Sequence, residues 1–187
     1  MTVGEEIFGD VTRRMGTSIE HLRRELSTIR TGRASLALLE PIQVDYYGAP
    51  TPLNQLATLA VPESRLITIQ PWDPASIGEI ERAILKSDLG LTPANDGKLI
   101  RISIPPLTEE RRLELVKVVK QKAEDYRIAI RNIRREGNDR LKAKEKEGSL
   151  SEDDYHKGLS KAQKITDSHI KQVDEIAEQK EQEVMEV

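Results

Sequence analysis

Apolar residues step by three and four near both ends of the chain and by two in its middle, so period alone divides it into helical and strand-like parts. In residues 2–30, Ile7, Val11, Met15, Ile19, Leu22, Leu26 and Ile29 keep the helical step. Gly4, Gly9 and Gly16 each cost up to about 1 kcal/mol in a helix interior relative to alanine. The expectation is a helix whose first turns fray and whose residues 18–30 hold. A longer helix is predicted over residues 108–147, because Pro105 and Pro106 forbid helix upstream, Thr108 can cap it and Gly148 stops it. At 1.5 Å per residue it is about 60 Å long, too long for the interior of a compact domain. Its seam, Val116, Val119, Ala123, Tyr126, Ile130, Ile133, Gly137 and Leu141, is narrow and requires other helices.

Ser151 followed by Glu152, Asp153 and Asp154 opens a third helix, with carboxylates where the helix dipole favours them. Leu159, Ala162, Ile165, His169, Val173, Ile176 and Val184 form its thinner apolar stripe. The short turn at residues 147–151 makes the last two helices antiparallel neighbours, and the first helix is the available third member.

Between the helices the pattern changes. Eight of the nine prolines fall between Pro41 and Pro105, and β-branched runs replace the long period. Residues 42–47, 66–70 and 99–104 read as strands, and residues 76–89 as a helix with Ile77, Ile80, Ile84 and Leu85 on one side. The fold class is therefore α+β: an elongated antiparallel three-helix bundle, residues 1–30 plus 106–187, with an inserted small β/α/β domain, residues 31–105. Entry and exit of the insert would lie side by side, making Thr31, Gly32, Pro105 and Pro106 a hinge. Tyr46, Tyr47 and Trp72 are expected to pack within the insert.

Charge sharpens this picture. The net charge of −3 divides into 0 for residues 1–30, −2 for 31–107, +4 for 108–147 and −5 for 151–187, so positive charge concentrates on the long helix. Arg127, Arg131, Arg134, Arg135, Arg140, Lys142 and Lys144 form a stripe broken only by Glu136 and Asp139. A solvated face paired with nearby acids is the ordinary explanation of such a run. Here Glu136, directly after Arg135, is the one acid at the arginine cluster, and arginine forks suit phosphate oxygens, so a structured nucleic-acid backbone fits better. Base reading does not fit, because aromatics for stacking are missing from the basic run. Arg30 and Arg33 flank Thr31 and Gly32, where they serve equally as cations at a helix C-terminus or as anion contacts.

Candidate catalysis is not visible. The chain has no cysteine, its three histidines are isolated, and no nucleotide-loop, metalloprotease or nucleophile-elbow pattern occurs. No catalytic residue, metal ligand or cofactor is predicted. No secretory signal and no apolar run long enough for a membrane span is visible, which points to a cytoplasmic protein without membrane contact.

Five stretches, in order, resemble signatures of the bacterial ribosome recycling factors: Ile29-Arg-Thr-Gly-Arg-Ala-Ser35, Tyr46-Tyr-Gly-Ala-Pro-Thr-Pro-Leu53, Asp88-Leu-Gly-Leu-Thr-Pro93, Ile104-Pro-Pro-Leu-Thr-Glu-Glu-Arg-Arg112 and Arg131-Asn-Ile-Arg-Arg135. The resemblance implies an L-shaped monomer similar in outline to transfer RNA, and a non-enzymatic translation factor. It implies binding to the post-termination ribosome and splitting of its subunits with elongation factor G and GTP hydrolysed by that partner. It also implies contact with large-subunit ribosomal RNA through the arginines of the long helix and first junction, here Arg131, Arg134, Arg135, Arg30 and Arg33, with Arg127 one turn earlier. Gly137 departs from the alanine more usual in the family. Without the resemblance, a helical adaptor or chaperone-like module that uses the seam and the acidic third helix for protein partners is the rival reading. An enzyme is the third.

Overall fold

The computed structural model describes residues 3–186. The chain divides into two compact units; the first leaves off at Arg30 and resumes at Glu109, and the second is Thr31–Thr108.

The first unit is three helices, α1 (Val3–Ser27), α3 (Glu109–Lys146) and α4 (Glu152–Met185). In α1 the predicted stripe is the buried face: Ile7, Val11, Met15, Ile19, Leu22 and Leu26 are all at most 3% exposed. Each such side chain contributes about 1.5–3 kcal/mol on leaving water. That packing holds the early turns despite their glycines, so α1 is continuous from Val3 and the expected fraying is not seen. Gly9 and Gly16 have nothing within 4 Å of an added Cβ, which puts them away from the packed side. Thr2, where the helix was expected to begin, lies outside the described residues.

Along α3 the buried positions are Leu115, Val119, Ala123, Ile130, Ile133, Gly137 and Leu141. Leu115 rather than Val116 occupies the first seam position, and Tyr126 is half-buried because its hydroxyl donates to Glu25 at 3.0 Å. In α4 the core side holds Gly158, Ala162, Thr166, Val173, Ile176, Ala177 and Val184. Thr166 is fully buried at a place the apolar pattern passed over, and its hydroxyl donates to the Ala162 carbonyl at 2.7 Å, which removes the cost of burying it. His169 is half-buried, with Nδ1 2.7 Å from the Ile165 carbonyl. Ser151 caps α4 by accepting from the Asp154 N–H, and Gly148, at φ +76°, lies at the start of the turn that reverses the chain.

Cross-helix contacts give the helix directions. Lys122 reaches Glu25 and Arg140 reaches Asp10, so α3 runs antiparallel to α1; Arg127 reaches Asp174 and Arg134 reaches Gln163, so it runs antiparallel to α4. At Gly137 of α3 an added Cβ would lie 2.7 Å from Val11 Cγ2 of α1.

The second unit holds α2 (Ile77–Lys86) and six strands: β1 (Gln43–Tyr46), β2 (Ala49–Pro52), β3 (Ala57–Glu63), β4 (Leu66–Pro71), β5 (Pro93–Asn95) and β6 (Ile100–Ser103). β1 and β2 form a hairpin closed by Tyr47 and Gly48, both at positive φ, with the Asp45 carboxylate accepting from the Gly48 N–H at 2.9 Å. The others form one antiparallel sheet in the order β3-β4-β6-β5. Alternation along β4 and β6 turns Ile67, Ile69, Ile100 and Ile102 inward, where they join Ile80 and Ile84 of α2. Strands β2, β3 and β5 were not anticipated. Their prolines weaken a strand pattern, yet β3 and β5 are the sheet's edges and β2 has one partner, positions where a missing N–H is tolerated.

Two packing expectations fail here. Tyr47 is 83% and Trp72 64% exposed, because one occupies the hairpin turn and the other follows the last residue of β4. Trp72 Nε1 donates to Thr58 Oγ1 at 2.9 Å, while Tyr46 stays half-buried. Leu85 is likewise exposed, lying beyond the buried stripe of α2.

Gly137→Ala gains up to about 1 kcal/mol of helix propensity but forces a methyl into Val11, and overpacking costs about 1–3 kcal/mol. The expected net result is a lower melting temperature, restored in the Val11→Ala/Gly137→Ala double variant; calorimetry of the three variants checks it. In the β5–β6 turn, Asp96 accepts from Arg101 and from the N–H groups of Leu99 and Lys98, and these bonds hold its pKa at about 2, below the ordinary 3.8. Its contribution to stability is therefore full above pH 3.8 and is lost as pH falls toward 2. A carboxyl NMR titration should place its midpoint near 2, and Asp96→Asn should remove that acid-side loss.

Candidate nucleic-acid interface

Arginines on α3 are sorted by their position around the helix. Arg127 sits toward α4 and is held on two sides, by Glu124 at 2.8 Å and by Asp174 at 2.8 Å, with 25% of its side chain exposed. Burial works against its charge, but the two carboxylates outweigh burial and raise its pKa further. Arg131 shares Glu124 at 3.3 Å. Hydrogen bonds from Arg127 first, and then from Arg131, lower the Glu124 pKa against the opposing effect of desolvation.

On the side toward α1, Arg140 pairs with Asp10 at 2.8 Å and Glu136 with Arg14 at 2.7 Å. Glu136, the one acid at the arginine cluster, is thus engaged with α1. Arg134 and Arg135 differ from all of these. Arg134 donates to the side-chain carbonyl of Gln163 on α4 at 2.6 Å, and Arg135 to that of Asn132 at 3.2 Å. Neither makes an ion pair with a carboxylate among the described residues. Arg134 is half-buried and Arg135 exposed, and Ile128, 47% exposed, lies two turns before Arg135 on the outer side of the helix.

The arginines expected to act together are therefore brought onto one helix, in different electrical states. The charge of Arg127 is compensated by two carboxylates and that of Arg131 by one it shares, while Arg134 and Arg135 have none beside them among the described residues. Glu124 was legible as the residue three before Arg127, a helical neighbour. Asp174 and Gln163 were not, because their partners depend on how α3 and α4 register.

Arg30 and Arg33 are exposed, and each has a polar or electrostatic partner. Thr31 is buried at 6% exposure. Gly32 has φ +77°, and a Cβ there would be 3.2 Å from Leu107 Cγ and 3.4 Å from the Leu107 nitrogen. The entering and leaving strands of the second unit thus lie side by side, next to Pro105 and Pro106.

Among the described residues no group of three or more His, Asp or Glu side chains could hold a metal ion. No described helix is long and apolar enough to cross a membrane.

Residues 22–185 match the family described as ribosome recycling factor. The chain belongs to the ribosome recycling factor family. The ribosome-recycling factor of Syntrophomonas wolfei is 57% identical over 183 residues, 98% of this chain and 99% of that protein. That of Halalkalibacterium halodurans is 57% identical over 185 residues, covering 99% and 100%. A solution structure of a ribosome recycling factor superposes with a TM-score of 0.78 at 40% identity, covering all of both chains. The T. thermophilus factor, described with E. coli elongation factor G bound to the E. coli post-termination complex, matches at 49% identity and a TM-score of 0.64 over all of both chains. Members of this family are non-enzymatic translation factors of α+β fold, in keeping with the helices and small β unit described above.

Different partners imply different losses on truncation. Arg127→Met should lower the melting temperature, since it leaves Asp174 and Glu124 without their shared cation, whereas Arg135→Met should leave it unchanged. Thermal denaturation followed by circular dichroism distinguishes the two.

Proposed function

We propose that this chain binds the post-termination ribosome in the cytoplasm as a monomer. Together with elongation factor G and the GTP that partner hydrolyses, it splits the ribosome into subunits for reuse. The observation that carries this reading is the face of α3 on which Arg134 and Arg135 keep their charge, in a chain of this family. Guanidinium forks without carboxylate partners are available to phosphate oxygens of large-subunit ribosomal RNA, and each contact made releases condensed counterions. Arg131 adds a partly compensated charge beside them. Arg30 and Arg33 supply a second point of contact at the junction. Arg127 already has two carboxylates, so it acts on RNA chiefly by keeping this stretch of α3 in place against α4.

The bundle then serves as a stiff anchor, and Thr31, Gly32, Pro105 and Pro106 serve as a hinge on which elongation factor G moves the smaller domain, residues 31–105. Two connections rather than one limit the motion to a swing. The positive φ of Gly32 and its close approach to Leu107 support this reading, because a side chain there is strained and crowded at once.

Arg134→Ala should weaken ribosome binding by about 1–3 kcal/mol and flatten the dependence of affinity on salt, with the circular dichroism spectrum unchanged. Undiminished affinity in a pelleting assay would refute the assignment. Gly32→Ala should slow subunit splitting, followed by light scattering, more than it weakens binding. Equal loss of both would count against a hinge.

A further inference from the structure

Several arginines of the bundle have carboxylate partners, while Arg112 donates to the backbone carbonyls of Met185 and Glu186. Arg13, Arg14, Arg127, Arg131 and Arg140 each lie within 4.0 Å of a carboxylate. Arg134 and Arg135 have amides instead. An amide carbonyl holds a guanidinium by a hydrogen bond much as a carboxylate does, but carries no net charge, so it orients the fork without cancelling it. At Arg134 the arrangement has a further tier. The Gln163 carbonyl accepts from Arg134 Nη1 at 2.6 Å, while its amide Nε2 donates to Asp167 Oδ1 at 2.7 Å. The amide is thereby locked with its oxygen toward Arg134, and the negative charge of Asp167 is kept one side chain away. Within α3, the Asn132 side-chain carbonyl accepts from Arg135 at 3.2 Å.

We propose that Gln163 and Asn132 are positioning residues of the RNA-binding face, which pre-orient Arg134 and Arg135 for phosphate while leaving their charge uncompensated, with Asp167 fixing the Gln163 amide. Holding a long side chain in its binding rotamer lowers the entropy lost on association. Neutralising it would remove the attraction that the pre-orientation serves. Glutamine and asparagine meet both requirements; glutamate, aspartate or an apolar residue meets one or neither. The inference rests on the reading of α3 as an RNA anchor.

The test measures ribosome binding across a range of salt concentrations with the full chain. Gln163→Glu should weaken binding about tenfold, as Arg134→Ala does, and lower the salt slope by about one phosphate contact. Gln163→Met removes the carbonyl but adds no charge, so it should weaken binding only a few-fold, about one side chain's worth of ordering, with the slope unchanged. Asn132→Asp and Asn132→Met should split in the same way through Arg135. A fold defect would move Glu and Met variants together and leave the salt slope alone, and the melting temperature reports it separately. Wild-type affinity and slope for Gln163→Glu, alongside weakened Arg134→Ala, would overturn the positioning role and leave the anchor standing. Wild-type affinity for both Arg134→Ala and Arg135→Ala would overturn the anchor itself.

Discussion

Nearly everything in the bundle depends on the unbroken apolar seam of α3. Val119, Ala123, Ile130, Ile133, Gly137 and Leu141 keep to one side of the helix for more than six turns. α1 and α4 can both pack against that line only if no charged residue enters it, so the polar residues are confined to the flanks and the outer face. The result is two flanks rich in cross-helix pairs and one exposed face. Gly137 shows how tight the constraint is, since α1 and α3 meet there with no room for a methyl group. Helix propensity is given up at that point to admit Val11, a residue that cannot rotate away because it is β-branched and buried.

The flank pairs and the outer face do different work. Flank arginines and carboxylates lie partly desolvated between helices, where pairing keeps burial from becoming a penalty and sets the register of one helix on another. Glu25 illustrates this on the α1 side: hydrogen bonds from Lys122 and then from Tyr126 lower its pKa, so three polar groups from two helices meet as one clip. Toward the outer face the same logic no longer applies, because water solvates an unpaired guanidinium there. Charge can then be retained for a partner.

The smaller domain solves a different problem with the same means. Its core is a set of isoleucines drawn inward by alternation on two central strands and covered by α2. Prolines gather at its edges and turns, where they cost no ladder bond, and they limit pairing with other chains. The large aromatics Tyr47 and Trp72 stay outside, so the core is aliphatic almost throughout.

Much of this could be read from residue order alone. The three long helices, the sheet-forming runs at residues 66–70 and 99–104 and the turn at Gly148 all follow from local period and punctuation, which act within a few residues. The short motifs likewise marked the family. Other features depended on contacts that the local pattern does not show. Strands β2, β3 and β5 exist because neighbouring strands accept their prolines at an edge, and Thr166 is buried because a carbonyl one turn back accepts its hydroxyl. The electrical state of the arginines was decided in the same way. Arg127 and Arg134 read alike as members of one basic run, yet the register of α4 sets Asp174 against the first and Gln163 against the second. Sequence determined that α3 would carry a row of positive charge; the packing of helix on helix decided which of those charges are cancelled, because cancellation depends on distance in space.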